Sequence, residues 1–336
     1  MDVGLTEEQL LLRDSAERLG RSLGTTRSPR RWALEEAAWD ELVRAGFTAV
    51  RAPDEPGFPR AHGVEVALVA EALARCLVNA PYVGSIVASE LLALTEAGAQ
   101  VAVEVETGAR RIVPLLDSSL TRFAHRGEDS VAWDAAGAES GLVVDGDQVL
   151  VVGLEDAVLP AVDLTRRLVA VPASAEGDPV GTIAAECLAR TEALMLVLVT
   201  ADLVGTADGA RESATEYAKA RRQFGRPIGS FQAVQHRLAE DLVSVQSSRS
   251  IMWFAAWTLD ALSASESLLA ARTAKAWAAR ACIDVCESAI QVRAGVGMTW
   301  EDLSHLYLRR AQMDRLVLGD ERFQFDRIAD ARLGGR

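Results

Sequence analysis

Arg221, Arg222 and Arg226 crowd a break between two helical runs, in Glu216–Asp241, EYAKARRQFGRPIGSFQAVQHRLAED. Gln223 and Gln232 lie beside them, and Phe224-Gly225-Arg226-Pro227-Ile228-Gly229 supplies the break. Proline lacks an N–H and glycine tolerates unusual dihedrals, so the second helix starts with free backbone donors. Cations and amide donors next to such N–H groups can hold a phosphate. A solvated helix–turn–helix corner is the other reading of the same residues. A second stretch, Gln291–Arg309, QVRAGVGMTWEDLSHLYLR, ends a helix in glycine. Gly295 and Gly297 either admit a ligand to backbone N–H groups or close the helix as a C-cap. Metal chemistry has no support. Cys282 and Cys286, spaced i,i+4, read as small buried residues, Cys76 and Cys187 stand apart, and His62, His125, His236 and His305 are scattered.

In combination the two stretches are specific. Tyr217, Arg221, Gln223-Phe224-Gly225, Pro227-Ile228, Phe231-Gln232 and Leu238-Ala239 match the acyl-CoA dehydrogenase signature in order and spacing. Gln291, Gly295 and Gly297 fall on the family's Q-x-x-G-G-x-G positions, with Ala294 replacing the first glycine, and a T-x-E and Arg309 follow. The chain therefore resembles the acyl-CoA dehydrogenase family. The resemblance implies FAD, with Arg221, Gln223, Phe224, Gln232, Gln291 and Gly295 holding its pyrophosphate and adenosine part across a subunit interface.

The resemblance also implies a reaction: a carboxylate removes the α-proton of an acyl-CoA while hydride leaves the β-carbon for the flavin, and the base must sit within hydrogen-bond reach of that proton. The family's two base positions, counted from Arg309 and back from Tyr217 with Gly205 as a check, land on Leu318 and on Met195-Leu196. None of these can accept a proton, so no catalytic residue is expected at the usual places. Asp320, Glu321 and Glu192 lie nearby. Each reads first as a surface or helix-terminal charge; Asp320 is the first candidate for a displaced base.

These residues need elements to position them. The fold class expected is mainly α with a small β domain, in acyl-CoA dehydrogenase order. Residues 1–107 read as an N-terminal helical domain: Thr6 N-caps a helix over 5–23, and further helices cover 31–45, 64–77 and 83–96, with a loop over 52–59. Residues 108–180 read as a shortened antiparallel β domain, with Asp145-Gly146 as a hairpin turn. The family's T-E-P-x-A-G-S segment and its tryptophan strand against the flavin ring are not found there, and Trp133 reads as core. Residues 181–336 read as a C-terminal four-helix domain, with runs at 183–221, 231–262, 265–293 and 301–316. Leu194–Val204 is apolar nearly all round, which demands burial.

Composition narrows the partners. The apolar fraction of 49% is that of a globular chain, and the net charge of −13 disfavours nucleic acid and anionic membranes. No basic, apolar leader and no bilayer-length apolar run is read, so a soluble, reduced, cytoplasmic protein is expected. GVGMTWEDLSHLYLRR resembles the short, base-lacking subunit of actinobacterial heteromeric acyl-CoA dehydrogenases. That resemblance implies an α2β2 assembly with a longer homologue supplying the glutamate, acting on steroid side-chain CoA thioesters. Two alternatives stay open: a self-sufficient homo-oligomeric flavoenzyme using Asp320, and a non-catalytic scaffold.

Overall fold

A computed structural model describes residues 4–26, 36–55, 58–59 and 61–334. The chain opens with α1 (Glu7–Leu23), which starts in a capping box. Thr6 Oγ1 accepts from Gln9 N at 3.2 Å, and the Gln9 side chain accepts from Thr6 N at 3.0 Å. Next come α2 (Glu36–Arg44), β1 (Pro53–Glu55) and β2 (Phe58–Pro59). Residues 31–35 of the expected second helix lie outside the described residues. The proline-rich stretch read as a loop thus carries a two-strand ladder. Both strands are edges, where a missing proline N–H need not interrupt a ladder. Three helices follow: α3 (Gly63–Arg75), α4 (Tyr82–Ala93) and α5 (Ala99–Glu106).

The middle of the chain forms a six-stranded sheet: β3 (Ile112–Asp117), β4 (Ser130–Ala132), β5 (Ser140–Asp145), β6 (Gln148–Gly153), β7 (Val169–Val171) and β8 (Gly177–Thr182), in the order β7-β4-β3-β5-β6-β8. Asp145 pairs with Gln148 across the expected hairpin, and Gly146 supplies φ 65°. One expectation is corrected. The sheet is mixed, because β3 and β5 run parallel, with Ile112 opposite Ser140. After β4 pairs antiparallel on one side of β3, the chain crosses to the other side of β3, which makes β5 parallel to it. One face of β3 (Ile112, Leu116) joins the helical core; the other (Val113, Leu115) forms a separate core with Val143, Leu150 and Val152.

The C-terminal part contains α6 (Ala185–Ala220), the two-residue strands β9 (Arg222–Gln223) and β10 (Arg226–Pro227), α7 (Gln232–Ala261), α8 (Ala264–Arg293), α9 (Ser304–Leu316) and α10 (Glu321–Leu333). The four expected helices are present, and α10 is an addition. The apolar stretch of α6 is buried throughout Ala193–Ala210. Helix α6 crosses α3 at Gly205 and Gly209, where a Cβ would run into the carbonyl oxygens of Glu71 and Arg75. Gly205→Ala must push two helix backbones apart, so it is expected to destabilise the fold by about 1–3 kcal/mol, read as a lowered urea midpoint. Among the described residues no helix is long and apolar enough to cross a membrane, and no group of His, Cys, Asp or Glu could hold a metal ion.

Candidate functional site

The first motif begins on the last turn of α6, where Arg221 N donates to Tyr217 O at 2.8 Å. The chain then reverses in a β9–β10 hairpin rather than a plain helical corner. Phe224 (φ 51°) and Gly225 (φ 79°) are both left-handed, as a two-residue primed turn requires. The hairpin is braced from within. Arg222 Nη2 donates to Gly225 O at 3.2 Å, and the Arg226 guanidinium lies 4.1 Å over the Phe231 ring, which Phe224 meets edge-on. Ile228 N closes the loop on Arg221 O at 2.8 Å.

Bracing occupies two of the three arginines. Arg221 has no side-chain partner among the described residues and is exposed. Gln223 and Gln232 are also exposed, and Phe224 is 92% exposed. An arginine fork, two carboxamides and a bare aromatic face form a donor set that suits a phosphate-bearing, aromatic ligand.

The second motif ends α8. Gln291 is exposed, Arg293 is the last helical residue, and Ala294 takes φ 52° where the family motif has glycine. Gly295 is exposed with open space around it, so a ligand can come up to its backbone. Gly297 is buried, and a Cβ there would meet Ile290 O at 2.9 Å. Arg309 on α9 donates to Val162 O at 3.1 Å and lies over Trp300. The structure also joins the two motifs through Arg293, which sequence reasoning did not single out. Its Nη1 pairs with Asp302 Oδ2 at 2.5 Å, its Nη2 donates to Ser213 O at 2.9 Å, and it lies 5.1 Å over the Tyr217 ring.

At the two positions where a base is expected from the family pattern, Leu318 and Met195 are buried, as is Leu196. The nearby acids are engaged elsewhere. Asp320 Oδ1 accepts from Phe323 N at 3.0 Å and N-caps α10. Glu321 forms a two-point pair with Arg315, which holds its carboxyl below the usual range. Glu192 pairs with Arg272 at 2.6 Å, and burial raises its pKa. Asp320→Ala is expected to cost about 0.5–2 kcal/mol of stability through the lost cap, while Asp320→Asn keeps most of it; thermal melts of both variants check this.

Sequence reasoning also missed a buried charge network beneath the sheet. Arg166, stacked 4.6 Å over Trp133, pairs with Asp134 and Asp202. Arg310 on α9 reaches the same Asp202 at 2.7 Å and donates to Val78 O and Thr165 Oγ1. Asp134 in turn accepts from Gly84 N at 3.0 Å. Burial would raise the Asp202 pKa, but Arg166 and Arg310 outweigh it and hold the carboxyl low. Asp314 lies 3.8 Å from Arg166, but burial and the adjacent Asp202 outweigh Arg166 and Arg310 and push its pKa well up. Lys275, fully buried behind the α9–α10 corner, donates to Arg315 O and Gly319 O; burial pulls its pKa down to about 7.

Residues 192–333 match the model of the acyl-CoA dehydrogenase C-terminal domain. Acyl-CoA dehydrogenase IpdE2 of Mycobacterium tuberculosis is 31% identical over 303 residues, covering 86% of this chain and 84% of its own. The chain belongs to the acyl-CoA dehydrogenase family. Its fold is that of the family's solved structures. The ChsE4-ChsE5 complex from Mycobacterium tuberculosis superposes with a TM-score of 0.83 at 24% identity over 100% of both chains. A variant of the Tcur3481-Tcur3483 steroid acyl-CoA dehydrogenase gives 0.82 at 22% identity over 97% of both. Membership of this family brings an expectation of FAD, and the donor set around Arg221 fits the phosphate and adenine end of that cofactor.

Proposed function

We propose that this chain is a cytoplasmic subunit of a heteromeric acyl-CoA dehydrogenase, lending part of the FAD site while a longer homologue supplies the catalytic glutamate, in an α2β2 assembly. The observation that carries the proposal is an asymmetry. Arg221, Gln223, Phe224, Gln232, Gln291 and Gly295 stand exposed and available, whereas Leu318 and Met195 put buried hydrocarbon at the base positions. FAD, when bound, supplies the hydride acceptor for α,β-dehydrogenation of a CoA thioester. The tasks left to this chain are grip and orientation. Arg221 neutralises pyrophosphate charge with a planar fork, Gln223 and Gln232 add amide donors, Phe224 offers a stacking face, and the backbone at Gly295 permits close approach.

The structural neighbours support this reading: ChsE4-ChsE5 is a complex, which favours the heteromeric form, and Tcur3481-Tcur3483 is a steroid acyl-CoA dehydrogenase, which favours the substrate class. We carry the steroid side-chain thioester over as the substrate class. The cap that Asp320 forms on α10 favours a structural role for it over that of a displaced base. The exposed donor set favours a cofactor-binding subunit over a scaffold. We read residues 1–107, 108–180 and 181–336 as the three domains of the family.

The test is a flavin spectrum. The chain purified alone is expected to be colourless and inactive, and co-expression with a longer, glutamate-bearing homologue is expected to give a yellow, active complex. A yellow, active homo-oligomer of this chain would overturn the proposal.

A further inference from the structure

We infer that Arg293 is the positioning residue of the cofactor corner, the group that sets the spacing between its two motif stretches. The inference rests on the FAD reading above. The residue occupies a position to which the motif assigns no role, yet its guanidinium reaches two separate segments, α6 and the start of α9.

On one side, Nη2 donates to both the carbonyl (2.9 Å) and the hydroxyl (2.5 Å) of Ser213. Its plane lies over Tyr217, one helical turn further along the same face of α6. Tyr217 O is the acceptor for Arg221 N, so the grip on α6 is a grip on the start of the hairpin. On the other side, Nη1 pairs with Asp302 at 2.5 Å. The second oxygen of that carboxylate accepts from Ser304 N and Oγ, which fixes the start of α9 and the direction in which Arg309 leaves. Between these, Ala294 turns left-handed directly after Arg293, and Gly297 folds back so closely that a side chain there would meet Arg293 Cβ at 3.1 Å.

One fork therefore ties the end of α6 to the start of α9, and it does so from the residue that opens the glycine loop. The Arg293 side chain is only 13% exposed, so water competes little for these bonds. Without it, the packing of Ala214 and Ala218 with Ala289 and Val292 still holds α6 near α8, but the polar bonds that fix the last turns and the start of α9 are lost, and misplacement of about 1 Å is enough to lose most of a site's effect.

The experiment uses the complex with the longer homologue and measures FAD dissociation by the recovery of free-flavin fluorescence. Arg293→Met keeps much of the bulk over Tyr217 and removes every polar bond. It is expected to weaken FAD binding about 10- to 100-fold, with complex mass and the KM for acyl-CoA unchanged. Arg293→Lys keeps the charge against Asp302 without the fork, and is expected to recover part of that loss.

The inference is overturned if Arg293→Met holds FAD as tightly as the parent while Arg221→Ala releases it. If both variants hold FAD like the parent, the FAD reading itself falls, and this inference with it. Should Arg293→Met fail to assemble, Ser213→Ala carries the test, because it removes one bond and leaves the pair with Asp302. A few-fold faster loss of FAD supports the assignment, and an unchanged rate overturns it.

Discussion

Arg166→Met is expected to cost the fold about 3–5 kcal/mol, the largest stability effect of any single substitution considered for this chain. The guanidinium is buried and pairs with Asp134 and Asp202 while stacking on Trp133. Removing it leaves Asp134 with Gly84 N as its remaining partner, and leaves Asp202 to Arg310. A carboxylate stripped of its cation in a dry interior must either stay charged at high cost or take up a proton. Urea unfolding at neutral pH checks the prediction. Arg280→Met is the control, since the Arg280–Asp284 pair is exposed on α8 and should move stability by about 0.5 kcal/mol or less.

The pH dependence follows from the same groups, and the two carboxyls act in opposite directions. Asp202 is held low in the fold, so its contribution is complete above the ordinary carboxylate range and is lost only as pH falls towards its depressed native pKa. Asp314 is pushed up, so the folded state favours its protonated form, and its contribution declines as pH rises above the ordinary carboxylate range. In Arg166→Met the Asp202 carboxyl loses a cation, so acid unfolding of the variant should begin from a lower plateau and be less steep. Stability that is unchanged in the variant would mean that the network contributes nothing net.

What the sequence revealed and what it hid divide along physical lines. Local chemistry was legible: the Thr6 cap, the Asp145-Gly146 hairpin and the all-round apolar stretch of α6 are each decided by neighbouring residues. The parallel β3–β5 pairing was not, because the crossover sets it and no strand's own pattern does. Helix α10 was missed because, of its residues, Gln324 alone is fully buried, so it has no apolar stripe to announce it. The buried network was invisible for a general reason. Arginine and aspartate are mostly surface residues, and nothing in VDLTRR distinguishes Arg166, which is fully buried, from the half-buried Arg167 beside it. Arg293 was missed in the same way. Its weight comes from Ser213, Tyr217 and Asp302 converging on it, and two of those are far away in sequence.

Arg221→Ala is expected to weaken FAD binding by the complex about 10- to 100-fold, the worth of one charge-assisted interaction of about 1.5–3 kcal/mol. The argument starts from the inventory of the hairpin. Arg222 donates to Gly225 O and Arg226 covers Phe231, so both are engaged before any ligand arrives. Arg221 is exposed, with no internal partner among the described residues, so its fork is free for an incoming phosphate. Arg222→Ala should therefore disturb the hairpin and cost only a few-fold in FAD affinity, well short of Arg221→Ala. Arg221→Lys should sit between the two, since an ammonium supplies charge without two-point geometry. Salt gives an independent check. Arg221 acts from an exposed position, where the screening length is about 10 Å at 0.1 M ionic strength, so the gap between parent and Arg221→Ala should narrow as salt rises. A parent and variant with equal FAD affinity at low salt would remove Arg221 from the cofactor site. Equal affinity at low salt for Arg221→Ala and Arg222→Ala, both far below the parent, would instead assign the effect to hairpin shape.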